Sequence, residues 1–181
     1  MHIRPLVEAD LPAVEIILDR AFGPGRRTRT ASLLRAGSRR LWPLCFAAEA
    51  DGRLLGAVQC WAIAFLPRGG QARPLVLLGP LVVLPKLRGQ GIGIALMEAA
   101  TEALDRLGLP AMLIGDAPYY GRFGFSAAAT GQWRLPGPVE PGRLLLRAAE
   151  PEAFAGPARL LPSAGLEPAG PPPYLEAHGA R

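Results

Sequence analysis

Histidine, lysine and cysteine are scarce in this chain, and each shortage closes off a class of chemistry. Of 181 residues two are histidine, His2 and His178. They lie at opposite ends, so neither has a partner at metal-ligand or Ser-His-Asp spacing. Cys45 and Cys60 are isolated and also lack metal spacing. They read as small buried hydrophobes on strands rather than as a disulfide or a catalytic thiol. No metal is expected. The one lysine, Lys86, precedes the neighbouring glycines instead of following them. A P-loop, Gly-x-x-x-x-Gly-Lys-Ser/Thr, is therefore absent. No apolar run approaches a membrane span, and no basic-then-apolar segment opens the chain. No membrane partner is expected, and the expected location is the cytoplasm.

What is abundant is arginine and apolar surface. The net charge is +5, and half of the residues are hydrophobic, enough for one domain with a substantial core. The arginines come in scattered pairs, Arg26-Arg27 and Arg39-Arg40, with no interleaved aromatics of the kind a single-strand binder stacks on bases. Nucleic acid is not an expected partner. For most arginines a solvated surface is the reading, with attraction of a polyanionic ligand as the alternative.

Periodicity gives the elements. His2 to Pro5 reads as an edge strand. Asp10 reads as the N-cap of a helix with Val14, Ile17, Leu18 and Ala21 on one face, stopped at Gly23-Pro24-Gly25. A short helix is expected around residues 28–36. A hairpin turning at Asp51-Gly52 is expected to join 44–49 to 53–61. Leu75 to Leu84 is apolar on both alternating faces and reads as a central strand. It carries Gly79-Pro80, and proline cannot donate to a ladder, so a bulge or an end of pairing is expected there. The next helix, to about Leu107, places Ile92, Leu96, Ala99, Ala103 and Leu107 on one stripe, and Gly108 and Pro110 end it. Ala111 to Gly115 reads as a short buried strand, with Asp116 capping a short helix through Tyr119 and Tyr120. Residues 132–135 and 143–148 suggest a closing hairpin. One domain over residues 1–150 is expected, then a Pro/Ala-rich, partly irregular extension over 151–181, with 167–181 as an irregular tail.

Between the central strand and the long helix stands Arg88-Gly89-Gln90-Gly91-Ile92-Gly93. A glycine turn opening a helix leaves the first N–H groups unpaired, with about half a positive charge behind them, which suits an anion such as a pyrophosphate. The dinucleotide fingerprint Gly-x-Gly-x-x-Gly fails, because from Gly89 or Gly91 the third glycine falls on Ile94 or Leu96. What remains is Arg-x-x-Gly-x-Gly after a strand and before a helix. This resembles the acyl-CoA signature of the GCN5-related N-acetyltransferases. Upstream, Leu81-Val82-Val83-Leu84-Pro85 ends the strand at the family's distance from the arginine. Downstream, Tyr119-Tyr120-Gly121-Arg122-Phe123-Gly124-Phe125 is similar to the family's later aromatic block. The likeness spans about residues 1–150, with its specific motifs confined to 79–125.

The resemblance implies an α/β fold in which a mixed, mostly antiparallel central sheet is splayed between its fourth and fifth strands and flanked by helices. It implies acetyl-CoA or CoA as acyl donor, no metal, and transfer to a primary amine of a small molecule or peptide; a homodimer is also admitted. By register with the family, the N–H of Leu81 meets the thioester oxygen, Val82 and Val83 carry the pantetheine arm, and Gly89, Gln90, Gly91, Ile92, Gly93 and Ile94 cradle the pyrophosphate. Tyr120, five residues before Phe125, is the implied general acid. Tyr119, Arg88 and Arg122 are implied cofactor contacts, against packing and surface charge as the plainer alternatives. Many members place a glutamate four residues before the oxyanion donor, but here that position is Leu77. Glu49 acting through water and Asp116 are the remaining carboxylates, and no base is assigned. The missing base leaves open a second reading, a non-catalytic acyl-CoA-binding or sensor module. The acceptor pocket is expected from residues 23–30, 64–73 and 133–142, whose arginines hint at an acidic acceptor.

Overall fold

A computed structural model describes residues 1–164. Among these, eight strands form one mixed sheet. Its main path runs β1 (His2–Pro5), β2 (Phe46–Ala50), β3 (Arg53–Pro67), β4 (Arg73–Val83), β5 (Ala111–Ile114) and β7 (Leu144–Arg147). Neighbours on this path are antiparallel except β4 and β5, which run parallel. Two further strands, β6 (Trp133–Arg134) and β8 (Ala158–Pro162), pair with each other, and β8 also pairs with β3. The helices are α1 (Leu11–Phe22), α2 (Thr30–Arg35), α3 (Ile92–Leu107) and the single turn α4 (Ala117–Tyr120). The expected α/β architecture is present.

Strand β3 organises the sheet because it is 15 residues long. One edge pairs with β4, and the other is shared by β2 near its start and β8 near its end. The interval between these two is filled by the loop before β2, where Leu41 N–H donates to Cys60 O and Ala62 N–H to Arg39 O, both at 2.8 Å. Alternate residues then supply two cores. Val58, Cys60, Val76, Leu78, Leu113 and Leu145 join the cluster under α1 and α3. Ile63, Phe65, Leu75, Leu77, Met112 and Leu146 join a second cluster with Leu34, Trp133 and Phe154. Period-two alternation with both faces covered explains why these strands are apolar at every position.

Several sequence expectations change in detail. Residues 132–135 and 143–148 do not pair with each other; β6 lies against β8 and β7 against β5. The partners of both segments are distant in sequence, which a local hairpin signal cannot register. The buried face of α3 is Ile92, Leu96, Met97, Ala100, Ala103 and Leu104, with Ala99 and Leu107 at its margins. Asp10 stands before α1, but its carboxylate does not cap it: it accepts two hydrogen bonds from Arg4, at 2.7 and 2.8 Å. The expected helix over 28–36 is a 3-10 turn, Pro24–Thr28, followed by α2. Beyond residue 150 the chain contributes β8, while the tail expected at 167–181 lies outside the described residues. Cys45 and Cys60 are both buried, and burial pushes the Cys45 thiol up to about 11 and Cys60 well above the usual thiol range. Neither is poised as a nucleophile.

Candidate active site

The site begins where two strands part. β4 pairs with β5 at two positions, Val76↔Ala111 and Leu77↔Met112, and then leaves it. On its other edge, pairing with β3 continues to Val83. Which amides face the opening follows from the register. Before the break, Val76 N–H donates toward β5, to Pro110 O at 3.0 Å. Between Cys60↔Leu78 and Val58↔Leu81, β4 sets two residues, Gly79 and Pro80, against one of β3, Gln59. This bulge falls on Gly79-Pro80, and Gly79 has φ 134, a conformation open to glycine. Past it the alternation is reversed. Leu84 N–H donates to Leu55 O at 2.8 Å, so Val82 also turns to β3. The N–H groups of Leu81 and Val83 therefore face the opening. Val82 does not: its amide and carbonyl serve the β3 ladder and its side chain is 2% exposed in the core, which removes it as a direct cofactor contact.

Beside this opening starts α3. Gly91 takes the N-cap position with φ 79, left-handed, where a side chain would be strained. Ala95 N–H donates to Gly91 O at 3.0 Å, the first bond of the helix. The amides of Ile92, Gly93 and Ile94 thus precede it without helical partners. Ile92 turns its side chain into the core, which leaves its amide as the group open to a ligand at the helix start. A Cβ placed on Gly93 would lie 3.2 Å from the Tyr119 hydroxyl and within 3.9 Å of Leu81 and Val83 side-chain atoms. Strand, helix start and Tyr119 therefore meet at one point. Gly89 and Gln90 are exposed. Arg88 is exposed as well, its guanidinium 3.4 Å from the Ala21 carbonyl at the end of α1. Arg122 stacks over the Tyr119 ring at 5.1 Å.

Tyr120 occupies the other side. Its ring packs so closely over Gly115, at the end of β5, that any Cβ there would clash with it. The small residue is the space in which the tyrosine lies. Burial, followed by the neighbouring Tyr119 and Asp116, pushes the Tyr120 phenol up to about 12. It stays protonated throughout the neutral range.

A cleft of about 650 Å³ joins the β4 break to Tyr120, lined by Leu77 to Leu81 of β4, Leu113 to Asp116, and Tyr120. Its far wall comes from α1, α2 and the segment 138–143. Thr30 Oγ1 donates to Pro138 O at 2.6 Å and ties α2 to that segment. Of the expected acceptor segments, 23–30 and 133–142 line the cleft and 64–73 does not; sequence reasoning missed Arg35 and Arg143, which tertiary docking of α2 and the loop before β7 brings in. Glu49 is not there; it lies on β2 and accepts a 2.7 Å bond from Arg4. The acidic residues lining the cleft are Asp116 and Glu140, 3.4 and 3.7 Å from Arg143. Asp116 makes no side-chain cap to α4. Among the described residues no cluster of potential ligands could hold a metal, and no helix is long and apolar enough to cross a membrane.

The sequence and the fold are similar to those of known proteins. The pattern of the acetyltransferase (GNAT) family matches residues 11–125. The uncharacterized N-acetyltransferase YhbS of Escherichia coli is 32% identical over 132 residues, covering 71% of this chain and 75% of that one. YjhQ of the same organism, also an uncharacterized N-acetyltransferase, is 31% identical over 125 residues, or 67% of each chain. Among solved structures, YhbS in complex with CoA superposes with a TM-score of 0.69 at 26% identity, covering 87% of this chain and 88% of that one. A Brucella melitensis family member in complex with acetyl-CoA has the same fold, with a TM-score of 0.61 at 24% identity and coverage of 90% and 96%.

Proposed function

The chain belongs to the GNAT acetyltransferase family, and from that premise we propose that it moves an acetyl group from acetyl-CoA to a primary amine. One observation carries the reading. β4 stays paired to β3 through Val83 but leaves β5 after Leu77, so two backbone donors face the opening, and from Leu81 a cleft continues to Tyr120. A pantetheine arm fits there as an added strand. The amides of Ile92, Gly93 and Ile94, with about half a positive charge behind them, suit its diphosphate. YhbS and the Brucella protein, solved with CoA and acetyl-CoA, support the same donor.

Each residue then has a task. Leu81 N–H donates to the thioester oxygen as negative charge grows on it during amine attack. A donor aimed this way lowers the barrier by about 3 kcal/mol. Val83 N–H holds an amide carbonyl of the pantetheine arm. Tyr120 gives its proton to the sulfur as the C–S bond breaks, and its raised pKa keeps that proton available at every working pH. Leu77, 1% exposed, is where other members carry a base, so proton removal from the amine falls to water in the cleft, next to Asp116 and Glu140.

The test is release of free CoA thiol from acetyl-CoA with a panel of primary amines. Amine-dependent release well above the hydrolytic background is expected. Tight acetyl-CoA binding with no amine-dependent release would favour the non-catalytic binding module.

A further inference from the structure

The far wall of the cleft carries four arginines, Arg26, Arg29, Arg35 and Arg143, and they are not equivalent. Arg26 is held by Asp19 and Glu15 at 2.7 and 2.5 Å. Arg143 is shared between Asp116 and Glu140. Arg35 has no ion pair among the described residues; its one hydrogen bond goes to the neutral hydroxyl of Ser32, at 2.7 Å. Arg29 is likewise without an ion pair there, its guanidinium resting over the Phe22 ring at 5.7 Å. Arg35 is half-buried, and it also lines a smaller recess of about 260 Å³ that opens beside Pro80.

A guanidinium has five donors in a fixed fork, and taking it from water without a counter-ion is costly. Burial, then the charge of Arg26, lowers the Arg35 pKa to about 10, with the nearby Glu15 acting the other way. It is still fully charged at neutral pH. A half-buried cation with most of its donors unmatched, in the cleft where the acceptor must enter, is a receptor for an anion. Asp116 and Glu140 line the same cleft but lie against Arg143, and Glu15, beside Arg35, is bonded to Arg26.

We infer that the acceptor carries an anionic group, a carboxylate or a phosphate, in addition to its amine, and that Arg35, assisted by Arg29, binds that group while the amine faces the thioester. This rests on the transferase reading above and adds the substrate class. Arg35 touches no reacting atom; it determines specificity. Charge-assisted bonds of this kind correspond to about 10- to 100-fold in affinity.

Two measurements separate this inference from the reading beneath it. Calorimetric titration of the CoA-saturated full chain with inorganic phosphate, and separately with propionate, should show saturable binding of at least one anion and tell the two chemistries apart. Arg35→Gln should weaken that binding about tenfold or more, and Arg35→Lys should retain part of it. Equal binding by wild type and Arg35→Gln, or binding of neither anion by wild type, overturns the inference. Transfer assays then compare β-alanine with β-alaninamide and O-phosphoethanolamine with ethanolamine. At least one acidic member should be preferred about tenfold or more through KM, and Arg35→Gln should erase the preference with kcat little changed. Equal use of both members in each pair also overturns it. If no amine at all releases thiol, the transferase reading fails, and the titration alone decides the role of Arg35.

Discussion

Replacing Tyr120 by phenylalanine should lower kcat about a hundredfold, the lower end of what a positioned general acid contributes, and leave the affinity for acetyl-CoA within about twofold. The lower end applies because a thiolate departs more readily than an amine or alkoxide. The fold should hold, because the ring keeps its place over Gly115 and its edge-on contacts with Tyr119 and Phe125. The pH profile carries a second signature. An acid is competent while protonated, and a raised pKa extends that range upward, so the wild-type rate should show no falling limb from Tyr120 until pH nears 12. Steady-state kinetics and a CoA titration on the same preparation check both. Full activity in Tyr120→Phe removes the residue from the mechanism.

Gly91→Val should act in the opposite way, weakening CoA binding about a hundredfold or more with little loss in the chemistry of whatever complex still forms. Gly91 holds φ 79 at the start of α3. A β-branched residue pays about 1–2 kcal/mol or more there, and relaxing that strain swings the first helical amides away from a common target. The Cβ itself meets no protein atom within 4 Å. The loss therefore comes from backbone conformation and from crowding of the diphosphate, not from a clash in the core. Thermal unfolding should shift by only a few degrees, and CoA titration should show the large effect.

How far the sequence could be read follows the range of each interaction. The bulge at Gly79-Pro80 was legible, because proline cannot donate to a ladder, and the parting of β4 from β5 followed from the family resemblance. The helix start at Gly91 was legible from its glycines. The orientation of Val82 was not. It depends on two residues of β4 facing one of β3, a count that exists only between strands. Strand β8 was invisible because five residues, Ala158–Pro162, gain their place by closing the far edge of β3. Arg35 and Arg143 carried no local signal, since surface arginines look alike until α2 and the loop before β7 dock. Glu49 was misplaced for the converse reason: its strand was right, but its partner, Arg4, sits across the sheet on β1.

The central claim is that Leu81 and Val83 present free amides to a gap which acetyl-CoA fills. Residue-resolved amide hydrogen exchange on β4, with and without acetyl-CoA, tests it most directly. The account predicts fast exchange at Leu81 and Val83 in the free protein, strong slowing at both when acetyl-CoA is bound, and slow exchange at Val82 in either state. Leu81 and Val83 already protected without ligand, or equally exposed with it, would contradict it.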